Sequence, residues 1–172
     1  RTVNTNLSFL ARELSFIGIP VAYSVTIQDV KRDILEALEW CWSRFDVVIT
    51  TGGLGPTEDD ISRVAIASFF GKHLEFQADI WARIQSMFER RGLSTPEINR
   101  CQAYVPKGFE ALSNERGTAP GLCYQELGKV FVALQGVPSE MRYTYRTHVL
   151  DKLREGFPHA KQIGRASCRE RV

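Results

Sequence analysis

The chain has 172 residues, of which 44% are hydrophobic and 24% charged, and its formal net charge is +2. These proportions fit one globular domain with its own core and exclude an intrinsically disordered chain. No run approaches the roughly 18 consecutive apolar residues of a spanning helix, and no basic, apolar, small-residue leader opens the sequence, so a cytoplasmic protein without membrane contact is expected. The basic excess comes from residues 163–172, where Arg165, Arg169 and Arg171 stand against Glu170 alone. The rest of the chain is neutral, which removes the ground for a nucleic-acid partner.

Leu7, Leu10, Ala11 and Leu14 recur at helical spacing between the polar Asn4-Thr5-Asn6 and Gly18, which predicts an amphipathic helix closed by a glycine. Residues 20–25 read as a short strand. Val30, Ile34, Leu38 and Trp42 share one face of a second helix beginning near Asp29. Residues 45–51 are almost all apolar or β-branched, the pattern of a central strand covered by helices on both faces. Ile61, Val64, Ala65 and Ser68 continue on a third helix to Gly71, and Ile80, Ile84 and Phe88 mark a fourth ending at Gly92. Short strands follow at 103–105, 122–125 and 130–134, with Leu127-Gly128 as a tight turn between the last two, and a closing helix runs from about Ser139 to Leu153. Alternating helices and strands predict an α/β fold.

Both ends depart from that pattern. The chain enters a helix within a few residues of Arg1, so the strand expected to open an α/β domain is expected to be missing. Residues 163–172, IGRASCRERV, resemble a translated sequencing adapter and have neither helical nor strand periodicity. The expected domain is therefore 1–157, followed by a short tail at 158–162. Cys41, Cys101 and Cys123 are widely separated, and Cys168 falls in the terminal stretch, so no C-x-x-C pair offers a zinc or redox centre. His73, His148 and His159 are equally scattered, and Trp40, Trp42 and Trp81 read as packing residues.

The chemistry concentrates in residues 50–60, TTGGLGPTEDD. An apolar strand empties into three glycines just before a helix, which is where ligands bind in open α/β sheets; glycines let backbone N–H groups approach a phosphate closely. No lysine follows as a P-loop requires, and the G-G-x-G spacing is not a dinucleotide fingerprint. A tight connection without a ligand would use the same residues. Asp59 and Asp60 shift the balance: carboxylates beside a phosphate site repel the ligand unless a divalent cation sits between them, which suggests metal-dependent phosphoryl chemistry.

TTGGLGPTEDD at 50–60, GTAPG at 117–121 and GVPSEM at 136–141 closely resemble three motifs of bacterial CinA-like N-terminal domains, with weaker matches at TVNTN (2–6) and at Asn99, Gln102, Ala103 and Pro106. More distantly the chain resembles the MoaB and MogA proteins of molybdenum cofactor synthesis, which share a G-G-x-G-P turn and an aspartate matching Asp60. The resemblance covers about residues 2–157. Gln135 stands where such domains usually carry proline, and Ser62 where threonine is usual.

The resemblance implies a three-layer α/β/α sandwich with a mostly parallel mixed sheet, in which the three motifs meet around a nucleotide-like or pterin-like ligand. It also implies metal-dependent hydrolysis of ADP-ribose at its pyrophosphate. In that reading the amides of Gly52, Gly53 and Gly55 hold a phosphate in a turn shared with Thr51, Pro56 and Thr57. Asp60, with Asp59 second, holds Mg²⁺ or Co²⁺, K⁺ being a further candidate. Asn6 contacts the ligand or caps the first helix. Gly117 shapes its loop and Thr118 is the ligand contact there. Gly136, Pro138, Ser139 and Glu140 form a second wall, with Ser139 alternatively a helix cap and Glu140 either a general base or a solvated acid. The missing opening strand carries a G-x-E-L type segment beside the site in relatives, a homo-oligomer is expected, and many relatives continue into an amidase domain. Two other functions stay open: a molybdopterin-binding or adenylyl-transferring domain, and a non-catalytic ligand-binding or oligomerisation module.

Overall fold

The computed structural model describes residues 4–158; the expectations for residues 163–172 and for His159 lie outside the described residues. The first helix, α1 (Thr5–Phe16), starts where the Asn4 side chain accepts the Leu7 N–H. It ends where Gly18, at φ 78, lets Ile19 N–H reach back to the Leu14 carbonyl, the paired-bond ending that a left-handed residue permits. Helix α2 is Lys31–Arg44, burying Ile34 and Leu38. Strand β1 (Val47–Thr51) follows, then α3 (Ser62–Phe69), β2 (Leu74–Phe76), α4 (Ala78–Glu89) and a 3₁₀ segment Glu97–Ala103. Four short strands complete the set: β3 (Tyr104–Pro106), β4 (Glu110–Leu112), β5 (Gly121–Glu126) and β6 (Lys129–Leu134). The closing helix is one run in three parts: α5 (Pro138–Thr144), a π turn Tyr145–Val149 and α6 (Leu150–Gly156).

The main sheet has the order β1-β6-β5-β4, with β2 and β3 as a separate pair. Side chains alternate across a strand, so β6 feeds two cores. Phe131 and Ala133 join α2, α3 and α4 on one face; Val130, Val132 and Leu134 join α1 and the closing helix on the other. Helices on both faces make the three layers, and they explain why the buried run of β6 is apolar at every position. Each of the fully buried Phe131, Leu134 and Leu122 contributes roughly 1.5–3 kcal/mol of transfer free energy.

Three expectations need correction. Residues 20–25 belong to no sheet among the described residues, although Val21, Tyr23, Val25 and Ile27 alternate along the sequence; all of them are exposed. Their pattern suits a strand, yet a strand needs a neighbour to satisfy its backbone groups. Between them and β1 lies a cavity of about 490 Å³, reaching from Phe157 and Asp46 to Asn4 and Gly52. For the same reason β1 is an edge strand within the described sheet, paired only with β6, and not a central one. The sheet is mixed as expected but not mostly parallel. Only β1 and β6 run parallel, while β5 pairs antiparallel with both β6 and β4. The two-residue connection Leu127-Gly128, at φ 50 and 78, permits only an antiparallel hairpin.

Candidate functional site

Strands β1 and β6 are parallel and end side by side, so the glycine turn and the segment after Leu134 leave the sheet at the same end. Gly52 donates its N–H to the Leu134 carbonyl at 2.9 Å, which extends the ladder by one residue and takes that amide out of any ligand site. The expectation that three glycine amides face the ligand is corrected to this extent. The next residues differ. Gly53, at φ 66, gives its carbonyl to Ser62 N–H at 3.2 Å. Leu54, its side chain buried in the core against α2 and α3, gives its carbonyl to Arg63 Nη2 at 2.6 Å. A trans peptide points its N–H opposite to its carbonyl, so with both carbonyls held by α3, the amides of Leu54 and Gly55 face away from that helix. No acceptor within the described residues meets the N–H of Gly53, Leu54 or Gly55. The turn is therefore a short row of unspent donors.

Asp60 closes the turn. Its Oδ2 accepts the N–H of Thr57 at 3.0 Å and its hydroxyl at 2.5 Å, and it lies where a Cβ on Gly55 would be. Asp59 is exposed on the preceding turn, and the first turn of α3 carries no acid. The two carboxylates are thus not equivalent: one is built into the loop, the other is solvated. Among the described residues no three His, Cys, Asp or Glu side chains gather to hold a metal ion.

The second wall is cross-linked by side chains. Asn114, fully buried, donates to the Ala119 carbonyl at 3.1 Å and to Glu140 Oε2 at 2.7 Å, and its Oδ1 accepts the Arg116 N–H. Gln135 donates to the same Ala119 carbonyl at 3.0 Å. Arg83 reaches from α4 to the carbonyls of Asn114 and Thr118 at 2.6 and 2.9 Å; burial is the main cause lowering its pKa. A Cβ on Gly117 would meet Glu140 Oε2 at 2.1 Å, so the GTAPG loop and the start of α5 are in contact at a position where any side chain would displace the Glu140 carboxylate. Gly136 in turn approaches Gly52, a Cβ built on it lying 3.4 Å from the Gly52 Cα.

Glu140 is a half-buried acid in the first turn of α5 whose Oε2 accepts from Asn114, tying two loops together. Asn6 does not cap α1, since Asn4 does; it lies within the helix, donates to the Gly136 carbonyl at 2.8 Å and leaves a buried Oδ1 without a partner. Thr50 Oγ1 and Gln135 Oε1 are likewise buried and unpartnered. Ser139 is not a cap either, because the residue ahead of α5 is Val137 and no side chain caps it. Pro138 and Ser139 are exposed; Pro56, Thr57 and Thr118 lie in the loops expected of them, while Thr51 is the last residue of β1, paired with Leu134. Arg63, Arg83 and Asn114 were not legible as site residues. The available signal was an arginine in the otherwise small and apolar SRVAIASF helix; Val64, expected on the buried face, is 49% exposed while Arg63 is 5% exposed.

Fold and site define an α/β domain whose glycine-rich loops gather at the carboxyl ends of two parallel strands, where ligands bind in such sheets. Residues 1–155 match the family described as "Probable molybdopterin binding domain". The chain is 43% identical over 151 residues to a CinA-like protein of Dictyoglomus turgidum, covering 88% of this chain and 37% of that one. It is 41% identical over 167 residues to a CinA-like protein of Chloroherpeton thalassium, covering 95% and 39%. The crystal structure of CinA from Thermoplasma acidophilum matches with a TM-score of 0.79 at 32% identity over 88% of each chain. Molybdenum cofactor biosynthesis protein B, with a TM-score of 0.57 at 18% identity over 91% of this chain and 86% of that one, shares the fold. The chain belongs to the molybdopterin-binding domain family, with CinA-like proteins among its relatives. It spans about two fifths of the length of those curated relatives.

Proposed function

We propose that the glycine turn binds a phosphate of a nucleotide-like small molecule, and that the domain hydrolyses a phosphoric anhydride of the kind found in ADP-ribose. The observation that carries this is the row of amides at Gly53, Leu54 and Gly55 without internal acceptors, since oriented backbone N–H groups at a strand exit hold anions and stabilise developing charge. Thr118 and the Gly136–Glu140 wall close the other side. A divalent cation fits only in part: Asp60 spends Oδ2 on Thr57 but keeps Oδ1, and Mg²⁺ commonly takes one or two protein carboxylates plus substrate phosphates. Asp60 would hold it, with Asp59 at most through water, and the ion would supply charge neutralisation at phosphorus. The chain's own part is to fix the phosphate on the turn, keep its loops in register and limit water.

The measurement that tests this is AMP release from ADP-ribose with Mg²⁺ or Co²⁺ and with a chelator. Metal-dependent release is expected; Asp60→Asn, whose amide oxygen can still accept from Thr57, should fold with unchanged circular dichroism yet lose about tenfold or more in turnover. Release that is unaffected by this substitution would remove Asp60 from the reaction. A second reading, a molybdopterin-binding or adenylyl-transferring domain, is favoured by the family description and by the lack of a three-acid metal cluster among the described residues. It predicts that a thermal-shift screen responds to molybdopterin more than to ADP-ribose, because selective ligands raise apparent stability. An appended amidase domain and homo-oligomerisation are proposals for the whole protein, not for these residues.

A further inference from the structure

We propose that Arg63 is the positioning residue that makes the glycine turn selective for anions, and that Arg83 does the same for the GTAPG loop. The proposal rests on the phosphate-binding reading above but names a cause that reading lacks. Arg63 sits in the first turn of α3 with only 5% of its surface exposed. Its Nη2 donates to the carbonyls of Leu54 and Gly55 at 2.6 and 3.3 Å, and its Nη1 to the Cys101 carbonyl at 2.8 Å. None of the ion pairs among the described residues involves it. A buried guanidinium ordinarily has a carboxylate partner, because an uncompensated charge in a low-dielectric interior is costly. Here every hydrogen bond of the guanidinium goes to a carbonyl oxygen, and the carboxylate beside the turn, that of Asp60, accepts from Thr57 without forming an ion pair with it.

Two consequences follow from this geometry. Holding the Leu54 carbonyl fixes the Leu54–Gly55 peptide plane, so the Gly55 N–H is aimed to the opposite side of the loop before any ligand arrives. The guanidinium charge then lies on the carbonyl side of that peptide, where the protein interior screens it less than water does, and it offsets the repulsion that the Asp60 carboxylate exerts on an anion. An anion on the far face of the turn meets both the donor and the charge, whereas a neutral ligand gains only the donor. Arg83 makes the same kind of carbonyl contacts on the other wall, but it is half-buried and Glu115 acts on its charge. Its guanidinium takes the carbonyls of Asn114, Gly117 and Thr118, directing the amides of Thr118 and Ala119 away from α4, and it too has no carboxylate within ion-pair distance among the described residues. A ligand seated between the loops is thus faced by two arginines that it does not touch, which suits a ligand with a diphosphate better than one with a single charge.

The test uses inorganic phosphate and inorganic pyrophosphate as probes of the whole 172-residue chain. In wild-type protein, titration monitored by amide nuclear magnetic resonance should shift Leu54, Gly55 and Thr118, with pyrophosphate binding more tightly than phosphate. Arg63→Met should weaken pyrophosphate binding by about tenfold to a hundredfold, the scale of a charge-assisted interaction. Arg63→Lys, which keeps the charge but not the fork, should recover part of the loss. Arg44→Met, remote and stacked on Trp40, should change nothing. A purely structural role would lower thermal stability while leaving the affinity of the folded variant alone, so a folded Arg63→Met that binds within twofold of wild type overturns the proposal. If that variant does not fold, the wild-type titration decides: unmoved Leu54 and Gly55 amides overturn it. Shifted amides without cleavage of ADP-ribose would sink the hydrolase reading and leave this one standing.

Discussion

The two walls of the site are built by different means. The glycine turn after β1 gets its shape from backbone conformation, with Gly52 and Gly53 at positive φ, and is anchored by one side chain on each flank, Arg63 and Asp60. The GTAPG wall uses ordinary backbone and is stitched by Asn114, Gln135, Glu140 and Arg83. A wall made by backbone leaves its amides free for a ligand; a wall made by side chains spends most of its polar atoms on itself. The first presents more free donors, and the second, besides its Thr118 and Ala119 amides, holds the first in place.

The largest expected effect breaks the turn. Gly53→Ala would place a Cβ 2.1 Å from Ser62 Oγ and 3.3 Å from the Ser62 backbone N, at φ 66. Strain and clash together should cost roughly 2–4 kcal/mol, seen in the urea midpoint, and ligand-induced stabilisation should vanish. Asn114→Ala attacks the other wall, leaving the Ala119 carbonyl, the Glu140 carboxylate and the Arg116 amide each short of a partner. A loss of about 2–3 kcal/mol is expected, but the turn should keep binding phosphate weakly. Equal loss of binding in both variants would show that the walls are not separable.

A smaller effect concerns the open edge of β1. Joining an extended, β-branched segment ahead of Arg1 should fill the cavity between residues 20–27 and β1 and raise the melting temperature by several degrees. The same segment carrying proline at alternate positions should not, since proline cannot donate to a ladder. Equal melting temperatures for the two versions would count against strand pairing there.

The smallest is a pH effect from the core behind the second wall. Burial is the first cause raising the pKa of Cys123 from 9.0 to about 11, with the neighbouring Glu110 adding to it; burial likewise raises Tyr145 from 10.0 to about 12. Both are raised in the folded state, so the folded protein holds these protons longer than the unfolded chain. Their contribution is complete below pH 9.0 and declines as pH rises through about 11 and about 12, following proton linkage. Urea midpoints should fall across that alkaline window, and less steeply in Cys123→Ala.

Much of this molecule could be read from local sequence. The polar start of α1, the glycine stops at Gly18, Gly71 and Gly92, the apolar run of β6 and the hairpin at Leu127-Gly128 depend on conformational preferences of neighbouring residues, and each was recognisable, although the cap of α1 is Asn4 where the sequence suggests Asn6. So was the glycine turn, because it needs residues that tolerate positive φ. Residues 20–25 show the limit: their alternation is that of a strand, but a strand exists only when another backbone pairs with it. The direction of β5 relative to β6 followed from a two-residue turn, whereas the edge position of β1 depended on strands distant in the chain.

The sequence by itself determined the main helices, the strands on either side of the Leu127-Gly128 hairpin, the glycine-rich turn and the three motifs that carry the family likeness. Only the tertiary structure decided that Gly52 spends its amide on Leu134, that Glu140 is a tie between loops, that Asn6 reaches Gly136 and that Arg63 lies buried behind the turn with its guanidinium on carbonyl oxygens. The physical reason is range. Backbone preferences act between residues a few positions apart, while hydrogen-bond partners and burial are set by chain segments that meet only after the layers have packed.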